Sequence, residues 1–292
     1  MVCRYSNGIK PAIRRSVPSF LAHTLLAASA ALMMTASGAY ALDAQFPDWS
    51  GQWRKPAGVG NQWDQARPLG RGQQAPLTPE YQAIFDASLA DQEAGGQGND
   101  PPARCVPFGM PRVMTAVFNM EIVVTPPVTY ILFDHSMPRR VFTDGRAWPK
   151  DIEPTFLGTS IGTWLDTDGD GRYDTLEIET RGLKGPRTYE GSGLPLHSDN
   201  ETVIKERISQ DRANTNLLHD EITTIDHALL RPWTVIKNYR RDPDPVWFPL
   251  DCAEDNHHVL IGGELYYLGA DDVLMPAKKD QPPPDLHYFK PK

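Results

Sequence analysis

One acidic stretch, residues 166–177, carries the oxygen-bearing side chains and the central glycine of a calcium-binding loop. Hard cations such as Ca²⁺ prefer oxygen ligands, which such a loop supplies from alternating positions around a glycine that permits a sharp turn. The expected ligands are five carboxylates and one main-chain carbonyl: Asp166, Asp168, Asp170, Asp174 and Glu177, with the carbonyl of Arg172. Asp and Gly also favour turns that bind nothing, so a plain turn is the alternative.

The segments around this loop indicate strands and not the helices of an EF-hand. After the loop, Leu176, Ile178 and Thr180 alternate with charged residues, and a period of two is typical of a strand. Residues 158–165, before the loop, also favour an extended chain. We therefore expect the loop at the tip of a β-hairpin, where calcium would be structural. No organic cofactor is indicated.

A second set of polar residues has the types needed for acid–base catalysis. A histidine beside a carboxylate can act as a general base. The candidates on the expected strands and their loops are His197, Glu206, His219 and Glu221. Around residue 221, the polar side chains lie on one face of the expected strand and the apolar side chains lie on the opposite face. If the apolar face points to the core, the polar face is only solvated, and the spacing alone does not decide.

Other reaction signatures are missing from the sequence. We find no nucleophile elbow, no phosphate-binding loop, no zinc-protease motif and no dinucleotide fingerprint. The pair His257-His258 has the side chains of a zinc site, but adjacent residues of a strand point in opposite directions and a third ligand is not evident.

The first 41 residues have the pattern of a cleaved secretory signal peptide. Lys10, Arg14 and Arg15 precede an apolar stretch over residues 20–34, and a small-x-small cleavage site ends at Ala41. No later segment approaches the length of a transmembrane helix. The sequence therefore predicts a periplasmic or secreted protein that does not insert into a membrane.

Charge argues against nucleic acid as a partner. The chain has 29 basic and 37 acidic residues, and removal of the signal peptide takes four basic residues and no acidic ones, which leaves 25 against 37. Such an excess of acidic groups repels a phosphate backbone and an anionic membrane surface.

The cysteines predict one disulfide. Cys3 is lost with the signal peptide, so Cys105 and Cys252 remain together in an oxidising compartment. A reactive nucleophile is the alternative, but neither cysteine lies in a local catalytic signature.

The organisation after the signal peptide predicts one domain over residues 42–292, whose first part, residues 42–112, is rich in loops and contains one helix. Thr78 is the expected N-cap, Pro79 the first helical residue, and the glycines at 95–96 end the helix. From residue 120 onward, alternating segments separated by Pro, Gly and Asp predict eight or more strands. We expect a mainly β protein, an antiparallel up-and-down barrel with one helix and long loops, in preference to a sandwich.

Several blocks of this sequence resemble a large group of uncharacterised secreted bacterial proteins that look lipocalin-like. The most specific block is NDPPARCVPFGMPR at residues 99–112. Shorter matches are DWSGQW at 48–53, FTDGR at 142–146, LHSD at 196–199 and CAEDN at 252–256. The resemblance implies a lipocalin-like barrel and a secreted location, but no activity. The acidic loop at 166–177 departs from the group, whose hairpin is usually shorter.

Two functions follow as expectations. The first is a binding module that holds a small apolar or aromatic ligand in the barrel cavity, with Arg104, Arg112 and His197 as polar anchors. The alternative is a cofactor-free lyase, isomerase or hydrolase that uses a histidine–carboxylate pair in the barrel. A barrel filled with side chains would instead favour a structural or interaction role.

Overall fold

The computed structural model describes residues 45–56, 75–115, 118–247, 252 and 257–286. The expected signal peptide, residues 1–41, lies outside these residues, as does most of the connector between the first strand and the helix. In the described part, no helix is both long and apolar enough to cross a membrane.

The described residues contain fourteen strands in three sheets, the largest of which is a closed barrel of nine strands in the order β1-β11-β10-β9-β6-β5-β4-β3-β2. The strands are β1 Gln52–Arg54, β2 Met120–Val124, β3 Val128–Phe133, β4 Arg139–Phe142, β5 Thr159–Leu165, β6 Thr175–Arg181, β7 Arg187–Thr188, β8 Pro195–Leu196, β9 Val203–Gln210, β10 Leu217–Ile225, β11 Trp233–Arg241, β12 His258–Ile261, β13 Glu264–Leu268 and β14 Leu274–Pro276. Strands β7 and β8 pair as a short hairpin, and β12, β13 and β14 form a separate sheet.

The barrel is mixed, which corrects the expectation of a purely antiparallel one. Strands β4 and β5 run parallel, with Val141 opposite Ser160 and Phe142 opposite Ile161. Parallel neighbours need a crossover connection, which is supplied here by residues 143–158. The mainly β barrel was predicted correctly, whereas the up-and-down topology was wrong at this pair.

Alternating side chains explain why the strands close around a core. In β10, Leu218, Ile222 and Thr224 are buried while His219 and Glu221 face outward. The same alternation repeats in β6, β9 and β11, so one face of every long strand is removed from water. Burial of these inward side chains is the main stabilising term of the barrel.

Two helices of the described residues lie between β1 and β2 in sequence. Helix α1, Pro79–Glu93, begins as expected at Thr78, whose hydroxyl accepts the Tyr81 amide at 3.5 Å. A 3₁₀ turn, Pro101–Arg104, and the short helix α2, Arg112–Thr115, follow it.

The predicted disulfide is confirmed. Cys105 and Cys252 are bonded, with their Cα atoms 5.6 Å apart. A bridge across 147 residues restricts the unfolded chain, which in similar cases stabilises the fold by about 2–4 kcal/mol.

Candidate functional site

The lumen of the barrel, where a ligand was expected, contains a buried ion pair. Arg139 of β4 donates from Nη1 to Glu206 Oε1 of β9 at 2.8 Å, and a second, shorter contact joins Nη2 to Oε2. The same guanidinium donates to the Ser160 and Thr180 hydroxyls at 3.2 and 2.9 Å. Because its partners come from three other strands, β5, β6 and β9, this arginine ties the barrel wall together and leaves Glu206 no free oxygen for catalysis.

Two more buried charged residues lie in the same layer. Asp220 of β10 is directly opposite Lys237 of β11, and both have no exposed surface. Neither carboxylate oxygen of Asp220 has a hydrogen-bond partner among the described residues. Burial, reinforced by repulsion from Glu206, raises the pKa of Asp220 well above its usual value. The lumen is therefore charged and occupied by side chains at this level.

The other catalytic candidates are distributed over the surface. His219 lies on the outer face of β10, where its imidazole contacts Asn238 at 2.7 Å and Asp211 at 3.1 Å. Glu221 is exposed on the same face. The structure thus supports the interpretation of this face as solvated, and it does not bring His219 and Glu221 together with Glu206, whose side chain points inward.

The three expected ligand anchors do not converge on one site. Two of them are paired with other residues, and the third is exposed. Arg112 donates to the Asp100 carboxylate at 2.8 Å and to the Thr188 hydroxyl at 3.1 Å, so its guanidinium is engaged in holding a loop. Arg104 is exposed. His197 contacts Asp199 at 2.9 Å.

The acidic loop lies at the tip of the β5–β6 hairpin, as predicted. Asp166 accepts the amides of Gly169 and Gly171 at 2.7 and 2.9 Å, which curls the chain around its carboxylate. Asp166, Asp168 and Asp170 place oxygens within 4.8 Å of one another.

The last two expected carboxylate ligands of this loop have other partners. Asp174 pairs with Arg212 at 3.2 Å, and Glu177 pairs with Arg207 on the barrel wall at 3.5 Å. Asp168 also pairs with Arg212, at 3.3 Å, so a calcium ion held by all six groups would have to break three ion pairs. The structure therefore offers three clustered carboxylates at the tip, and calcium binding stays a prediction.

A pocket of about 470 Å³ opens where the chain crosses between β4 and β5. Its walls are residues 107–108, residues 136–140 with Phe142, and residues 154–159, with Lys184 at the edge. The lining is mostly apolar and includes Phe108, Met137, Phe142, Phe156 and Leu157. Ligand sites of this volume and character are common for small molecules.

Main-chain contacts fix the shape of this pocket. The Met110 amide donates to the Phe156 carbonyl at 2.9 Å, and the Lys184 amide to the Thr155 carbonyl at 2.8 Å. Gly109 makes the first contact possible, because a Cβ atom there would lie 2.5 Å from the Phe156 oxygen. Three chain segments are thus held together independently of any ligand, so the pocket is preformed.

The charge around the pocket is positive although the protein is acidic. Arg140 and Lys184 line it and are exposed, and no acidic side chain is among the lining residues that the structure describes. The ammonium of Lys184 lies 5.7 Å from the centre of the Phe156 ring. An apolar floor with two cations at the rim suits an apolar molecule that carries one negative group.

Three other cavities among the described residues have similar volumes but a different character. One, of about 480 Å³, lies on the outer face of the barrel among charged residues such as Glu179 and Lys205, which pair with each other at 3.6 Å. The second, of about 390 Å³, lies beside the acidic loop. Both are lined largely by solvated charges and ion pairs. The third, of about 420 Å³, lies beside α1 and contains the Asp91–Lys278 ion pair at 2.6 Å as well as Asp100. The pocket at the β4–β5 crossover has no acidic lining residue among those that the structure describes and is the best candidate for an apolar ligand with a negative group.

Sequence reasoning missed this pocket because its residues belong to loops whose partners are distant in the chain. Phe108, Met137 and Phe156 share no strand and no periodicity. The signal available was the specific block at 99–112, which contains Phe108 and Gly109. No known protein family, no curated protein and no solved structure matches this chain.

Proposed function

We propose that this protein binds a small apolar or aromatic molecule with one anionic group in the pocket at the β4–β5 crossover. The observation that carries the proposal is the combination of a preformed apolar lining with Arg140 and Lys184 at the rim. Met137 supports it, because 74% of this large apolar side chain is exposed, and a ligand would cover it.

The proposal moves the expected ligand from the lumen to the crossover. Arg139, Glu206, Asp220 and Lys237 are each at most 3% exposed inside the barrel. An apolar ligand placed among them would have to displace a satisfied ion pair or leave charges unpaired, which costs several kcal/mol. The crossover pocket requires neither.

The proposed location is outside the cytoplasm, in the periplasm or the medium. The signal-peptide pattern and the Cys105–Cys252 disulfide support it. The lipocalin-like resemblance, which implies a secreted barrel, is consistent with a carrier or scavenger of small apolar molecules.

A fluorescence titration with an anilinonaphthalene sulfonate dye tests the proposal, since this probe is both aromatic and anionic. We expect saturable binding that Met137→Glu weakens about tenfold or more, equivalent to about 1.4 kcal/mol, because the new carboxylate repels the probe and removes apolar contact. The matched control is Leu230→Glu, since Leu230 is similarly exposed at 69% and does not line the pocket.

Charge at the rim is tested separately. The double variant Arg140→Gln, Lys184→Gln should weaken the anionic dye but leave a neutral naphthalene probe unaffected, and Lys205→Gln, Arg207→Gln on the outer wall serves as its control. Equal dye affinity in Met137→Glu and the parent protein would overturn the proposal.

A further inference from the structure

Antiparallel pairing of β9 and β10 brings two histidine-bearing segments to one end of the barrel. Val203 at the start of β9 lies opposite Ile225 at the end of β10. The residues just before β9 and just after β10 must therefore be neighbours, although about 30 positions separate them in the chain. His197 and Asp199 belong to the first segment and His227 to the second.

The three side chains converge on one carboxylate oxygen. Asp199 Oδ2 lies 2.9 Å from His197 Nδ1 and 2.7 Å from His227 Nδ1. The other oxygen, Oδ1, is 3.2 Å from the Glu201 amide, which donates to it and fixes the plane of the carboxylate. The potential ligand atoms of all three residues lie within 4.8 Å of one another.

A buried arginine holds the first segment in this shape. Arg187 donates to the Leu183 carbonyl at 2.8 Å and to the Asp199 carbonyl at 3.1 Å. It also makes short contacts with the His197 carbonyl and the Thr202 hydroxyl. Its side chain is only 1% exposed, so the loop that carries two of the three groups is anchored to the interior.

Asp226 joins the two segments to each other. Its Oδ1 accepts the amides of His197 at 2.9 Å and Ala228 at 2.8 Å, and its Oδ2 accepts the Thr202 hydroxyl at 2.5 Å. The carboxylate is fully buried and lies 3.8 Å from Arg187. Arg187 and Asp226 thus hold the main chain of His197 and Asp199 from the interior, as outer-shell groups orient the ligands of metal sites.

We propose that His197, Asp199 and His227 form a binding site for a divalent transition metal ion, of which Zn²⁺ is the best match. Imidazole nitrogen and carboxylate oxygen are its common ligands, and tetrahedral bonds of about 2.0–2.1 Å place neighbouring ligand atoms roughly 3.3 Å apart. The observed separations of 2.7 and 2.9 Å would widen by about 0.4–0.6 Å on binding. His197 Nδ1 would also exchange the Asp199 amide, which donates to it at 3.0 Å, for the metal ion. Glu201 Oε2 lies 3.6 Å from His227 Nε2, the ring nitrogen that does not contact Asp199.

The site is independent of the crossover pocket, because the two share no lining residue. It also differs from the acidic loop, whose oxygen-only groups suit calcium better than zinc. Zinc binding is therefore a property separate from the proposed function.

Calorimetric titration of the untagged chain with zinc chloride, with calcium chloride in excess to occupy the acidic loop, tests the proposal. We expect one zinc per chain, detected also by elemental analysis after dialysis, and a rise in melting temperature with zinc concentration through mass action. His197→Ala and His227→Ala should each weaken binding tenfold or more. His227 is 61% exposed, so its variant keeps the fold.

His219→Ala is the matched control. His219 is also a partly exposed histidine paired with an aspartate, at 3.1 Å from Asp211, but it has no second histidine beside it. Its variant should bind zinc like the parent protein. If the parent chain binds no stoichiometric zinc, or if His197→Ala and His227→Ala retain the parent affinity, the three residues form only a hydrogen-bonded cluster and the proposal is wrong.

Discussion

At the scale of single residues, the barrel interior contrasts a satisfied buried charge with an unsatisfied one. Arg139 has four partner atoms on three other strands, two of which are the oxygens of Glu206. In the part of the chain that the structure describes, neither carboxylate oxygen of Asp220 has a hydrogen-bond partner. Since an unpaired buried polar group costs about 1–3 kcal/mol, Asp220 is a local weakness of the core.

The first prediction concerns Asp220→Asn and pH. The folded-state pKa of Asp220 is raised by burial, so the folded chain binds a proton that the unfolded chain releases near pH 4. Stability should then fall as the pH rises from that value toward the raised pKa. The asparagine variant should lose this dependence and be more stable than the parent by about 1 kcal/mol at neutral pH.

Urea unfolding at several pH values measures this difference, with Asp151→Asn as a control because Asp151 is exposed. We expect the stability of the parent protein to fall between pH 4 and pH 8 relative to that of the Asp220→Asn variant. If it does not fall, the pKa of Asp220 is not raised in the folded protein and the prediction is wrong.

The inward position of Asp220 follows from the alternation of β10, which also placed Leu218 and Ile222 inside. The pairing of the buried charged residues, by contrast, could not be predicted from the sequence. Arg139 and Glu206 are 67 residues apart, and only the closure of the barrel makes them neighbours. For the same reason the cluster of His197, Asp199 and His227 was not predicted beyond the candidate status of His197.

At the scale of elements, local sequence signals were sufficient to predict helices and strands whose formation depends on residues close together in the chain. Thr78 and Pro79 correctly marked the start of α1, and the alternation after residue 175 correctly marked β6. The parallel β4–β5 pair was not predictable in this way, because residues 143–158 carry no strand or helix signal that states where the chain re-enters the barrel. The pocket forms at this unpredicted crossover.

The second prediction concerns the β5–β6 hairpin. Asp168→Ala, Asp170→Ala removes two of the three clustered carboxylates at its tip. If calcium binds there, its affinity should be on the order of 10⁻⁴–10⁻³ M, as in extracellular modules, because the tip lies outside a paired EF-hand. Millimolar calcium should then raise the melting temperature of the parent protein through mass action.

The double variant should show no calcium-dependent rise, whereas Asp144→Ala, in another exposed turn, should behave like the parent. Identical melting of parent and double variant with and without calcium would show that the loop is only a turn. Glu177→Gln should have little effect on calcium, because Glu177 pairs with Arg207 on the barrel wall.

At the scale of the whole molecule, charge and apolar surface are distributed unevenly. The chain carries a formal net charge of −8, yet the rim of the crossover pocket presents Arg140 and Lys184. An acidic protein repels anions in general, so a local cationic rim over apolar residues selects anions that can also bury an apolar body. The mainly β barrel and its disulfide were predictable from the sequence, whereas this site required the tertiary arrangement.

The most direct test of the central claim is to map the ligand contact by nuclear magnetic resonance. Titration of isotope-labelled protein with 1-naphthoate should shift the amide resonances of Met137, Leu157 and Lys184, which line the crossover pocket. The amides of Ile222, Lys237 and Tyr239, whose side chains point into the lumen, should stay in place. Shifts at these lumen residues without shifts at the crossover would contradict the account and return the binding site to the barrel interior.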